Sequence, residues 1–154
     1  MPTNLEDNKI FGGEYGSSIS LNVANGSHNC QIVVTMEGDS SSYPSDTSVT
    51  FGGNAMTKNV STSYHDSVRY WTICCHVYYE SSAGSHFVHV SGDPSSYSFY
   101  AAYSYSGVAS FSNTITGGTS TYTHSGGSVA IPGPSQQLAI IASFSGVPTG
   151  WAGT

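Results

Sequence analysis

The sequence predicts a single antiparallel all-β domain, a β-sandwich or jelly roll. Three observations carry that expectation. Short runs of alternating, β-branched or aromatic residues recur along the chain, pairs of Gly, Asn and Pro punctuate them, and no segment spaces its apolar residues at a helical period. Aromatic residues make up 12% of the chain, including 11 tyrosines, which separates it from disordered sequences of similarly low aliphatic content. A chain of 154 residues can close one sizeable core but not two. The expected organisation is one domain over residues 1–154, with extended arms at 1–13 and 146–154.

Taken in order, Ser18 to Ala24 (SISLNVA) alternates as a half-buried strand, and Asn25-Gly26 after it is the strongest short hairpin signal. Gln31 to Met36 (QIVVTM) is almost continuously apolar, the pattern of a strand covered on both faces. Glu37 to Ser45 reads as a polar loop. Ser48 to Phe51 and Ala55 to Asn59 flank Gly52-Gly53, a second tight hairpin. Arg69 to Tyr79 (RYWTICCHVYY) is the longest β-prone run. Ser81 to Gly84 turns the chain into His86 to Val90 (HFVHV), Gly92-Asp93-Pro94 ends that strand, and Tyr97 to Tyr105 forms the next. The C-terminal third adds short runs, Thr119 to Thr123 and Gln137 to Phe144, between Gly-Gly and Pro-Gly-Pro turns.

Charge bounds function. Only 8% of residues are charged, 3 Lys+Arg against 9 Asp+Glu, for a formal net charge of -6. Three scattered cations, Lys9, Lys58 and Arg69, cannot replace the counterions of a nucleic acid or hold an anionic membrane. The exposed positions must instead be Ser, Thr, Asn, Gly and Tyr, a surface with little charge to desolvate when a neighbour covers it. The opening MPTNLEDNKIFGG lacks the basic and apolar regions of a secretory signal, and no apolar stretch is long enough to span a bilayer. Cys74 and Cys75 point to opposite faces of a strand and do not suit each other as disulfide partners. Cys30 bridging to either would leave an odd thiol, and small buried core residues is the favoured reading of all three.

Candidate chemistry is sparse. His86 shares a strand face with Val88 and Val90, whereas His89 shares one with Phe87, so the two do not form a metal pair. His76, on the preceding long strand, could approach either across a hairpin to make a two-His site, with His65 or Asp66 added; ordinary strand histidines is the stronger reading. Glu37, Asp39 and Asp46 offer hard oxygen ligands and are weak calcium candidates, without the repeated spacing of a dedicated calcium loop. There is no G-x-S-x-G elbow, Cys75-His76 are held apart on a strand, no carboxylate pair is placed by a motif, and no glycine loop leads into a helix. The expectation is therefore a non-enzyme without catalytic residues or cofactor. Trp71, Ile73 and Cys75 share a core-like face. The tyrosines remain as candidate contacts, Tyr70, Tyr78, Tyr100, Tyr103 and Tyr105 foremost, able to stack on sugars or pack against a neighbouring subunit.

SVTFGGNAMTK (Ser48 to Lys58), RYWTICCHVYYESSAGSHFVHVSG (Arg69 to Gly92) and AAYSYSGV (Ala101 to Val108) together resemble a β-sandwich module of phage virion proteins and some secreted bacterial proteins. The shared order is a short strand into Gly-Gly, a Trp-centred strand, a G-S/T-H-x-V-x-V strand, and a small-residue strand ending in S-G-V. This chain departs from it at Cys74-Cys75-His76 and Tyr78-Tyr79-Glu80, where a Pro-containing loop is expected. The resemblance covers about the central half of the chain and implies a non-catalytic structural or adhesive role. The expected protein is a capsid decoration or fibre-associated subunit in a virion, meeting other copies of itself and a capsid or filament lattice through tyrosine-rich, charge-poor surfaces. The alternative is an extracellular or cell-surface carbohydrate-binding or adhesion module, with a glycan as partner.

Overall fold

The structure, a computed structural model, describes residues 4–13, 16–24, 28–65, 68–92, 97–108, 138–140 and 151–153. Two antiparallel sheets pack together as a β-sandwich. The first has five strands in the order β1-β9-β3-β7-β6: β1 is Asn4–Phe11, β3 Cys30–Asp39, β6 Thr57–His65, β7 Tyr70–Tyr79 and β9 Tyr97–Ser106. The second has four, in the order β2-β8-β4-β5: β2 is Ser18–Val23, β4 Ser48–Phe51, β5 Asn54–Ala55 and β8 Gly84–Ser91. A separate two-stranded ribbon pairs β10, Leu138–Ile140, with β11, Trp151–Gly153.

The core between the sheets joins Phe11, Val33, Tyr100 and Ala102 of the first to Leu21, Val23, Val49, Phe51, Val88 and Val90 of the second. Each fully buried Val, Leu or Phe is worth roughly 1.5–3 kcal/mol relative to exposure. β2 and β8 alternate as their sequences require: Leu21 and Val23, Val88 and Val90 face inward, while Asn22, Phe87, His89 and Ser91 between and beside them face out. β3 is different. Gln31, Val33, Thr35 and Glu37 face the second sheet, while Cys30, Ile32, Val34 and Met36 face the other way, and all eight are buried. A second cluster forms on that far face from Cys30, Ile32, Val34, Cys75, Val77, Ala101, Tyr103 and Tyr105. Gly38 permits one of its closest contacts, because a Cβ there would lie 2.5 Å from the Trp71 ring.

The expected Gly-Gly hairpin is present. Phe51 pairs with Asn54 across Gly52 and Gly53, whose φ values of 56° and 83° suit a two-residue turn that glycine adopts without strain. Other expectations are corrected. The strands flanking Asn25-Gly26 lie in different sheets, so they form no hairpin; residues 25–27 themselves lie outside the described residues. The one-sided burial of β2 suits the four-stranded sheet and the two-sided burial of β3 the centre of the other, which outweighs the local turn signal. Residues 4–11 are not a free arm but the edge strand β1, paired with β9 from Asn4↔Ser106 to Phe11↔Tyr100. Of the expected C-terminal arm, Trp151–Gly153 is a paired strand and the rest lies outside the described residues, as does Thr119 to Thr123. Glu37 to Asp39 continue β3 rather than opening a loop, since Ser98 and Thr72 flank Glu37 on both sides.

Candidate functional site

The outer face of the four-stranded sheet is set by the alternation of β2, β8 and β4. Once Val88 and Val90 take the core side, Ser85, Phe87, His89 and Ser91 must point outward. Register places Ser20 beside Phe87, Ser18 beside His89, Asn22 beside Ser85, and Thr50 and Ser48 on the β4 side. None of these residues is Asp, Glu, Lys or Arg. Phe87 stands in the middle of the face with 69% of its surface exposed, the most of the large apolar residues exposed among those described. The hydroxyls around it are ordered by one another: Ser18 Oγ lies 2.7 Å from His89 Nδ1, Ser20 Oγ bonds Ser85 Oγ, and Ser48 Oγ donates to the Ser91 carbonyl. The face therefore combines an aromatic centre, short side chains with little rotamer entropy to lose, and no charge to desolvate. Such a surface suits coverage by a partner.

The chemically richest cluster lies inside. Glu37, 1% exposed, accepts the Tyr100 hydroxyl at Oε1 (2.7 Å), and its carboxylate sits under Gly92, where a Cβ would come within 3.0 Å. Thr35 and Thr47 bond each other beside it, and His76 Nε2 donates to the Thr47 carbonyl at 3.0 Å. Burial and then the Glu37 bond raise the Tyr100 phenol above its usual range. Burial holds His76 below the usual histidine range, against the Thr47 contact. This cluster ties β3, β7 and β9 to the segment before β4.

Comparison with family models, curated proteins and solved structures returns no match. The arrangement of the residues therefore carries the functional argument.

The expected tyrosine contacts divide. Tyr100, Tyr103 and Tyr105 are 4–5% exposed, so they are corrected from surface contacts to core: Tyr100 between the sheets, Tyr103 and Tyr105 in the far-face cluster. Strand β9 is buried on both faces, which a tyrosine tolerates as well as water. Tyr70 is half-buried between the His65 ring (4.1 Å) and the Tyr43 ring (5.0 Å). Tyr78 is half-buried against Phe51 at 5.6 Å.

The three acids considered for calcium are not gathered. Glu37 is in the core; Asp39 accepts from Ser41 and Ser42, which hold it below the usual carboxylate range; Asp46 is held there by Lys58 and Ser61. Among the described residues no group of three or more His, Cys, Asp or Glu is placed to hold a metal ion. His76 is interior, and β7 and β8 lie in opposite sheets, so no hairpin brings it to His86 or His89; Asp66 lies outside the described residues. All three cysteines are free and buried. Burial first, and a neighbouring thiol second, push Cys30 and Cys75 up to about 12, which keeps both protonated. Sequence reasoning does not single out Phe87, although the face it shares with His89 follows from the strand alternation.

Proposed function

We propose that this chain is a non-catalytic structural subunit of a virion-type assembly, a capsid decoration or fibre-associated protein working in many copies. The observation that carries the reading is the uncharged outer face of the β2-β8-β4-β5 sheet with Phe87 at its centre. A second copy meeting that face buries an aromatic ring and short hydroxyl side chains without stranding an ion, the condition under which buried area becomes affinity. The burial of Tyr100, Tyr103 and Tyr105 moves the contact from a tyrosine-rich surface to this Ser/Thr/Asn/His face. The module-like motifs from Ser48 to Val108 support the virion setting, because they include three of the four strands of that sheet, β4, β5 and β8.

The test is the association state of the purified full chain, by sedimentation velocity across a concentration series and by electron microscopy of the native assembly. Self-association that is lost in Phe87→Lys supports the proposal. A wild-type chain that stays monomeric at high concentration and decorates no capsid or filament lattice overturns it.

A further inference from the structure

A cleft of about 220 Å³ opens where the β4–β5 turn meets the β7–β8 connection. Phe51, Asn54, Tyr78, Glu80, Ser82 and His86 line it. Phe51, 1% exposed, is buried at its base, with the rings of Tyr78 and His86 at 5.6 and 5.2 Å and tilted by 47° and 46° to it. We infer that this cleft binds a single neutral sugar residue, such as the end of a glycan.

Preorganisation is the first argument. Asn29, 2% exposed, clamps the rim, taking the Ser81 amide on Oδ1 (2.9 Å) and giving Nδ2 to the Ser81 carbonyl (2.7 Å). Gln31 Nε2 donates to the same Oδ1 at 3.0 Å from the strand position facing Tyr78. His86 Nε2 donates to the Ser82 carbonyl at 2.9 Å, which in the neutral ring leaves Nδ1 an acceptor, placed beside Gly52. The chain bends sharply here, with Glu80 at φ 54°. These contacts fix the walls before any ligand arrives, which lowers the cost of binding.

Chemistry and size are the second. The Asn54 side-chain amide and the Tyr78 hydroxyl make no hydrogen bond to the described residues, so both are available beside His86 Nδ1 and the Ser82 hydroxyl. That mixture of donors and acceptors around aromatic rings matches a ligand with hydroxyls on its rim and C–H groups on its face. The volume is below the roughly 300 Å³ where drug-sized pockets begin, and so suits one ring. Glu80 is the charged residue of the lining, and its carboxylate accepts from the His28 amide at 3.1 and 3.2 Å. With a net charge of -6 as well, the site disfavours an anionic sugar.

Saturation-transfer NMR on the full chain tests this with glucose, galactose, mannose and N-acetylglucosamine, and with sialic acid and tetramethylammonium as anionic and cationic probes. The expected result is binding of at least one neutral sugar with a Kd on the order of 1 mM, as a ligand of a dozen heavy atoms allows. Tyr78→Ala abolishes the signal. Asn54→Ala, an exposed turn substitution that leaves the core intact, weakens it about tenfold, and Leu5→Ser on the β1 edge leaves it unchanged. The inference is overturned by silence of all four neutral sugars up to about 50 mM, by binding undiminished in both cleft variants, or by response to the charged probes alone.

Discussion

The two sheets of this molecule use the same strand geometry for opposite ends. The five-stranded sheet is covered on both faces along its centre, and β3, β7 and β9 hold the core polar cluster, all three cysteines and the buried tyrosines. The four-stranded sheet is covered on one face only and leaves Phe87 in the open. The first sheet therefore supplies stability and the second supplies surface. In this chain an aromatic residue reveals little about function until its sheet and face are known. Tyr103 reads as a contact residue in the sequence and Phe87 does not, yet the first is 5% and the second 69% exposed.

The largest effect that would break this division is at Ile32, which is 1% exposed on the far face of β3. Ile32→Ala is expected to cost about 2–5 kcal/mol, the range for an aliphatic truncated in a closed core. Urea denaturation measures it; a cost under about 0.5 kcal/mol, typical of a surface site, would mean that the far face is not a core in solution. A step down in size is Tyr100→Phe, which removes the hydroxyl from Glu37 while keeping the ring beside Phe11. The expected loss is about 1–3 kcal/mol, because a buried carboxylate oxygen gives up its donor.

How far the sequence foretold this division depends on residue type. QIVVTM announced double burial because Ile and Val have only one preferred side of an interface, and HFVHV announced its inward valines by alternation. YSFYAAYSY did not, since a tyrosine is at home under a second layer or in water. Asn25-Gly26 misled because a turn signal says nothing about which sheet the next strand joins. Glu37 looked like loop because an acid closing an apolar run seldom stays inside; its partner Tyr100 is 63 residues away in sequence. The cleft was the least legible of all, since Phe51, Tyr78 and His86 come from three strands and meet only in the folded chain.

The pH dependence sharpens the comparison from the stable side. His76 has its folded pKa held below the unfolded value, chiefly by burial. The unfolded chain therefore takes up a proton that the folded one refuses, and stability falls with decreasing pH once the solution drops below the ordinary histidine value of about 6.5. Above that value both states are neutral, and this group adds no slope. The urea midpoint of the wild type should decline on going from pH 7 to pH 5.5, and His76→Gln should flatten that part of the profile. A decline of equal steepness in the variant would place the titrating group elsewhere.

Phe87 offers the smallest expected effect on stability and the most informative. Phe87→Ser removes an exposed ring from a face that the monomer does not cover, so folding free energy should move by no more than about 0.5 kcal/mol. Val88, the next residue on the same strand, is fully buried, and Val88→Ala should cost several times as much. If the face is a contact between copies, association responds in the reverse order at a concentration where both variants are folded: Phe87→Ser disrupts it, and Val88→Ala leaves it near wild type. A structural role for Phe87 would instead lower the urea midpoint in step with association. A ring with 69% of its surface in water has little intramolecular packing to lose, so the two measurements together separate a face built for assembly from one that is merely exposed.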